Sequence, residues 1–401
     1  MKFEAKRSPL AQVVSTLSHA MVPSKNPSDT GGYIRVELDK AGINLSVSRH
    51  DLFVKVAIDK DAVEKSIITP KREGMAVLEG SVMSAFLNRL KEPEVEAEFK
   101  KAPASEKSED EESGPVEVGR LAWSYRGSKG KRSSTFPCIE LAISEPDLFS
   151  IPVKATIYGK DFASMVRLVG VATGDASEND KYTCALVRTG EQKVEMITAN
   201  GQQLGWAKYD GEVSAPMECV VPYSLLQTAS KMLNPNGKIK VTSTDESPAR
   251  IVLTQDVTWA DNVIGRIAIR LNTTGEDFFK FEDKLGRLDF KTGCSFKTQQ
   301  AKDAIDLIDI LDRARTTLVF NPEEKLIEFM KVDTHGEVSS ELPIDKAKGG
   351  KMQIDVSSKH LKVAIDNTPD EEMEVSFSGP RSMAMIRVSS NMSMYFMPYV
   401  D

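Results

Sequence analysis

The sequence predicts an α+β protein built from three tandem copies of one domain, and three observations lead there. First, a short amphipathic helix, a strand hairpin, a second amphipathic helix closed by a polar turn and an alternating strand recur three times in that order. A repeat this long marks copies of one fold. Second, the matching elements of the copies share their apolar spacing. Third, a chain of 401 residues exceeds what one core supports and fits three domains of roughly 120 to 150 residues.

The first helices carry apolar residues at i, i+3, i+4 and i+7: Leu10, Val13, Val14 and Leu17; Phe162, Met165, Val166 and Val169; Ala301, Ala304, Ile305 and Ile308. Each is expected to bury one stripe and leave its other face to solvent or a partner. The hairpins run from Tyr33 to Leu38 and Ile43 to Val47, from Ala185 to Arg188 and Val194 to Thr198, and from Thr317 to Phe320 and Leu326 to Met330. All are period-2 runs around turn formers. A further turn follows each of them, at Ser48 to Asp51, Asn200-Gly201 and His335-Gly336.

The second helices carry Met83, Phe86, Leu87 and Leu90, then Leu226, Ala229 and Leu233, then Leu361, Ala364 and Ile365. After turns at Pro93, Pro235 and Pro369 come the strands of Val95, Ala97 and Phe99, of Ile239 and Val241, and of Met373, Val375 and Phe377. Polar or Pro-containing stretches near Glu145-Pro146-Asp147 and Lys280 to Lys284 place the domains at residues 1–148, 149–280 and 281–401. Residues 101–117, rich in charge, Ser and Pro, are expected to be a mobile surface insertion in the first copy.

Composition narrows the function. Apolar content of 40% is enough for cores, and a formal charge of −7 argues against a uniformly basic nucleic-acid binder while leaving room for one basic face. Cys138, Cys184, Cys219 and Cys294 form no C-x-x-C pair and read as buried thiols of a reducing cytoplasm. His19, His50, His335 and His360 lack metal spacing, so no metal or cofactor is expected. Without an apolar leader or a long apolar run, the chain is expected neither to be secreted nor to span a membrane. No phosphate loop, dinucleotide fingerprint, nucleophile elbow or H-E-x-x-H is present, which moves weight from catalysis to binding. The aspartates at 303, 306, 309 and 312 line one helix side and read as a solvated or interface face, not as a metal site.

The order of elements, the tripled copy and several strings resemble the bacterial DNA polymerase III beta subunit family, the processivity sliding clamps. Met1-Lys2-Phe3 before a helix is similar to that family's start. Ile197 to Leu204, ITANGQQL, resembles its central strand and loop, Val220-Val221-Pro222 its entry to a helix, and Tyr395-Phe396-Met397-Pro398-Tyr399 its tail. Gln203 stands where a basic residue is usual and Gln202 where a His is common.

The resemblance implies a homodimer of two chains closed head to tail, with twelve helices lining a ring and antiparallel sheets outside. It implies a non-catalytic processivity factor that encircles double-stranded DNA without sequence preference. Its expected partners are a replicative polymerase, a clamp loader and other linear peptides, in a cytoplasmic, nucleoid-associated setting. The peptide pocket is carried over to Ala199, Gly201, Gln203 and Leu204, and to Tyr395, Met397, Pro398 and Tyr399. DNA-facing candidates are Lys25, Arg89, Lys129, Lys131, Arg132, Lys160, Arg167, Lys231, Lys302 and Lys362, which would give weak attraction to phosphate. Two alternatives stay open: a non-DNA scaffold on a diverged clamp fold, and an enzyme on a repeated α+β scaffold.

Overall fold

The computed structural model describes the chain apart from residues 23–29, 41, 60–67, 102–116, 128–129, 140–146, 175–178, 261–262, 312–313, 335 and 400–401. Lys25, Lys129, Asp312, His335 and most of the acidic insertion therefore lie outside the described residues.

Each copy follows one recipe: strand, helix, three strands, strand, helix, three strands. In the first these are Lys2–Lys6, α1 (Arg7–Ser18), Tyr33–Leu38, Gly42–Ser48, Leu52–Asp59, Gly74–Glu79, α2 (Gly80–Arg89), Glu94–Lys101, Glu117–Gly127 and Gly130–Ile139. The second runs Ala155–Tyr158, α3 (Gly159–Val169), Cys184–Gly190, Lys193–Ala199, Gln203–Asp210, Met217–Pro222, α4 (Tyr223–Met232), Lys238–Ser243, Arg250–Trp259 and Val263–Asn272. A single-turn α5 (Glu282–Leu285) precedes the third: Thr292–Lys297, α6 (Thr298–Ile308), Arg315–Asn321, Leu326–Asp333, Gly336–Pro343, Met352–Ser357, α7 (Ser358–Asp366), Glu372–Phe377, Ala384–Ser389 and Met392–Phe396.

The helical stripes read from the sequence are the buried ones. Leu10, Val13, Val14 and Leu17 are at most 1% exposed, and the matching residues of α3 and α6 are buried too. Each Val, Leu or Ile among them contributes about 1.5 to 3 kcal/mol on burial. The orphan N–H groups at the start of the first helices are met in the same way in every copy. Arg7 N donates to Pro93 O at 2.8 Å, Lys160 N to Pro235 O at 2.7 Å and Thr298 N to Glu371 O at 2.9 Å. The turns that close the second helices thus cap the first ones.

Contacts divide the chain into two compact units, Met1–Phe162 with Leu225–Thr273, and Ala163–Ser224 with Thr274–Asp401. In the first, one sheet runs Ile68–Arg72, Lys2–Lys6, Glu94–Lys101, Glu117–Gly127, Gly130–Ile139. Another passes from the middle copy into the first: Ala155–Tyr158, Lys238–Ser243, Arg250–Trp259, Val263–Asn272, then Leu52–Asp59, Gly42–Ser48, Tyr33–Leu38, Gly74–Glu79. The copies join where Ile269 faces Val54 and Ala268 faces Lys55.

The second unit repeats this. Its larger sheet runs Met217–Pro222, Cys184–Gly190, Lys193–Ala199, Gln203–Asp210, then crosses to Met392–Phe396, Ala384–Ser389, Glu372–Phe377, Thr292–Lys297, Lys346–Lys348. Leu204 faces Tyr395 across that junction. A four-stranded sheet completes the unit in the order Gly336–Pro343, Leu326–Asp333, Arg315–Asn321, Met352–Ser357. The middle copy therefore gives one sheet to each unit.

Candidate functional site

The candidate cleft is built on the junction of the second unit. Asn200 shapes the turn between two strands: its Oδ1 accepts from Gln202 N at 3.1 Å and Gln203 N at 2.8 Å. Gly201 has φ +83°, and a Cβ there would come within 2.6 Å of the Tyr182 hydroxyl oxygen, so the turn needs glycine twice over. The tail is tied to this turn, because Met397 N donates to Gln202 O at 2.8 Å.

Alternation then sorts the side chains. Ala199, Leu204 and Tyr395 belong to one apolar cluster with Cys184, Leu186, Ile197, Val220 and Phe281. Gln203 does not share it. Its side chain takes the opposite face, is 3% exposed and accepts from Asn200 Nδ2 at 3.3 Å, so it holds the turn where the sequence reading had it line the pocket. Met397 is 46% exposed and Pro398 is half-buried. Tyr399 lies against the four-stranded sheet, its N–H donating to Asp355 O at 2.9 Å and its ring 4.5 Å from the Arg315 guanidinium.

Several neighbours escaped the sequence reading. Trp206 continues the face beyond Leu204, with Lys208 Nζ 3.7 Å above its ring and the Arg188 guanidinium 5.4 Å away. Arg188 pairs with Glu195 and, at 2.6 Å, with Glu282, while Lys208 reaches Glu195 at 3.1 Å. Burial opposes the Arg188 charge, but these carboxylates outweigh it and raise its pKa. Arg188, Glu195, Trp206 and Lys208 line, with Lys193, a cavity of about 470 Å³. The signal was available in principle: Cys184, Leu186 and Arg188 alternate on one strand, and the connector carries Phe278-Phe279-Lys280-Phe281 amid polar residues.

No protein-family model matches the chain. The beta sliding clamp of Bacillus subtilis (strain 168) is 22% identical over 402 residues, covering 98% of this chain and 97% of that protein. The crystal structure of the DNA polymerase sliding clamp from Bacillus subtilis superposes with a TM-score of 0.80 at 18% identity, covering 100% of this chain and 99% of that one. The DNA polymerase III beta subunit of Thermotoga maritima gives 0.74 at 14%, with 100% and 99% covered. The Helicobacter pylori beta clamp bound to a DNA ligase peptide gives 0.70 at 15%, with both chains covered at 100%. The chain is a diverged relative of the bacterial sliding clamps. Its fold is their three-domain clamp fold.

For a sliding-clamp relative the basic side chains matter next. Arg89, Lys160, Arg167 and Lys231 stand exposed on α2, α3 and α4, and Arg132 is exposed on its strand. Lys131 lies in the same strand, Gly130–Ile139. Lys302 is half-buried on α6. Lys362 is engaged within its own copy: it pairs with Asp306 and, at 3.1 Å, with Asp309. Hydrogen bonding to Asp306 is the first cause of its raised pKa.

The helix aspartates are tied down by the same groups. Lys331, 3% exposed, reaches Asp309 at 2.6 Å and the Leu311 carbonyl at 3.3 Å. Burial pushes the Asp309 carboxyl up, yet hydrogen bonds from Lys331 and Lys362 prevail and hold it below the usual range. Asp303 accepts from Gln299 Nε2 at 2.8 Å. Among the described residues no group of three or more His, Cys, Asp or Glu could hold a metal ion. All four cysteines are buried free thiols, and burial alone pushes Cys294 up to about 12.

Proposed function

We propose that the protein is a DNA polymerase processivity factor, a homodimeric ring around duplex DNA that tethers polymerase and other partners through the cleft beside Leu204 and Tyr395. One observation carries the ring. Within the chain the same junction is made twice: the third strand of one copy's second sheet, Leu52–Asp59 or Gln203–Asp210, pairs with the last strand of the next copy, Val263–Asn272 or Met392–Phe396. The rule leaves one donor and one acceptor over. Gly336–Pro343 and Gly130–Ile139 are both sheet edges among the described strands. A second chain, placed head to tail, satisfies both and removes the edges.

The chemistry of the two edges agrees. Glu337 and Glu341 are exposed on one, and Arg132 is exposed on the other. Beside the first edge stand Leu307 of α6, 46% exposed, and Ile310 in the turn just after that helix, 71% exposed, side chains that cost free energy in water without a partner. Sedimentation is expected to give twice the 44.2 kDa chain mass. Ile310→Asp is expected to weaken the dimer at least tenfold, since a charge would be desolvated in the junction. A monomer in the native protein would contradict the ring.

Exposed cations at Arg89, Arg132, Lys160, Arg167 and Lys231, with Lys302 and, from the sequence, Lys25, Lys129 and Lys131, supply the weak phosphate attraction that sliding needs. The Lys362 contribution is reduced by Asp306 and Asp309. The peptide bound by the Helicobacter pylori relative supports a peptide role for the cleft. The reading assigns the chain no catalytic step, a clamp loader as a further partner, and a cytoplasmic site of action. Among the described residues no helix is long and apolar enough to cross a membrane. The domains are taken as residues 1–148, 149–280 and 281–401, the division that follows the repeat.

A further inference from the structure

The apolar seat of the cleft is already occupied by the chain itself. Phe281, in the connector ahead of the third copy, is 5% exposed and shares one cluster with Ala199 and Leu204, with Tyr395 packed against it. Its ring meets Trp206 edge to face at 5.5 Å and lies 5.8 Å from the Arg188 guanidinium.

Phe278, Phe279 and Leu285 also pack against this cluster, the Phe279 ring 5.3 Å from that of Tyr182, while the polar fastenings of the connector lie near the surface. Thr274 N donates to Val220 O at 3.0 Å, Lys181 Nζ reaches Asp277 O at 3.0 Å and Glu276 at 3.6 Å, and Arg188 holds Glu282 at 2.6 Å. Glu276 and Glu282 side chains are 60% and 49% exposed, so these pairs are easily exchanged for water. The connector adds no strand to the sheet it covers, and its only helix is the single turn of α5. The cavity of about 470 Å³ next to it is bordered by Arg188 and Trp206, the two groups that flank Phe281, and gives the ring a place to go.

We propose that residues 274–285 form a displaceable strap, in which Phe281 is the resident occupant of the peptide cleft and must leave before the apolar anchor of a peptide can enter. This rests on the reading of Ala199, Leu204 and Tyr395 as the peptide site. Partner peptides then bind by exchange: the incoming side chain replaces Phe281 against Leu204, while Glu282 gives up Arg188. Apparent affinity is set by the fraction of molecules with the strap open, so loosening the strap tightens binding without touching the peptide. A partner with an apolar side chain followed by an acidic one fits best, because the second group takes the place of Glu282 on Arg188.

The test uses the full chain and a fluorescein-labelled synthetic peptide of the DNA ligase segment bound by the Helicobacter pylori relative. Fluorescence polarisation is read beside hydrogen exchange. Peptide is expected to speed exchange across residues 274–285, Phe281→Ser to bind about tenfold tighter and Glu282→Gln about threefold tighter, ratios that follow from the open fraction. Glu282→Gln keeps the test valid should Phe281→Ser fold poorly. Protection of the connector by peptide, or equal or weaker binding by both variants, would overturn the strap and make Phe281 a fixed wall. Removal of residues 395–401, which takes Tyr395 from the site, separates the two claims. If that deletion abolishes binding, the site reading stands whatever the strap does; if binding survives it, or if no form binds, the site reading fails and the strap with it.

Discussion

The two connectors between copies invite comparison, because each covers one face of a sheet junction with apolar side chains beside arginine. At the first, Leu148 packs with Phe53, Val252 and Ala268, with Phe149 and Ile151 alongside. Arg266 sits 4.6 Å from the Phe149 ring and Arg270 5.4 Å from that of Phe53. At the second, Phe281 packs with Ala199 and Leu204, and Arg188 stacks near it. The difference lies in what surrounds them. The second connector has exposed ion pairs as latches, a cavity at its side, and the tail strand ending beside it. One junction is therefore a sealed cover and the other a cover that can open, although the same architectural need produced both.

Stability measurements sharpen that contrast most. Leu148→Ala, at a position 2% exposed, is expected to cost about 2 to 4 kcal/mol, the range for a core aliphatic. Phe281→Ala is expected to cost only about 1 to 2 kcal/mol, well under the 3 to 5 usual for a buried phenylalanine, because the strap yields locally. Urea midpoints of the two variants decide it. A loss at Phe281 as large as that of a core aromatic would make the two connectors alike.

Next in size is Gly201→Ala, in the turn that anchors the tail. Its φ of +83° and the nearby Tyr182 hydroxyl lead us to expect a loss of about 1 to 3 kcal/mol together with weaker peptide binding. Peptide binding unchanged in a folded variant would detach the turn from the cleft.

The smallest effect is electrostatic. Raising salt to about 1 M shortens the screening length to about 3 Å and should loosen only the connector held by Arg188–Glu282 and Lys181–Glu276. Hydrogen exchange in residues 274–285 is expected to quicken modestly while residues 147–153 stay unchanged. Equal response of both connectors would remove the distinction.

The sequence showed the helices better than the sheets, for a physical reason. A stripe such as Ala301, Ala304, Ile305 and Ile308 repeats within one element, so its period is visible locally. The strands Ala155–Tyr158 and Met392–Phe396 have 4 and 5 residues, too few for a period, and their partners are far away in the chain. The junctions were invisible for the same reason, since pairing of Leu204 with Tyr395 is a property of the folded sheet.

The candidate site was legible as positions but not as orientations. Ala199, Leu204 and Tyr395 came together, whereas Gln203, one residue from Leu204, turned inward by strand alternation. Lys362 looked like an available cation until Asp306 and Asp309 were placed beside it. Phe281 could be noticed as an aromatic in a polar connector, but only the fold shows that it occupies the cleft.

If two chains close into a ring as proposed, topology more than affinity keeps the protein on DNA. The direct measurement loads the protein with a clamp loader onto nicked circular DNA, isolates the complex by gel filtration, and then linearises half of it with a single-cutting nuclease. Retention on the circle and rapid loss from the linear DNA are expected at physiological salt, because a ring slides off free ends while weak phosphate contacts do not hold it. Equal loss from both forms, or equal retention on both, would rule out a closed ring.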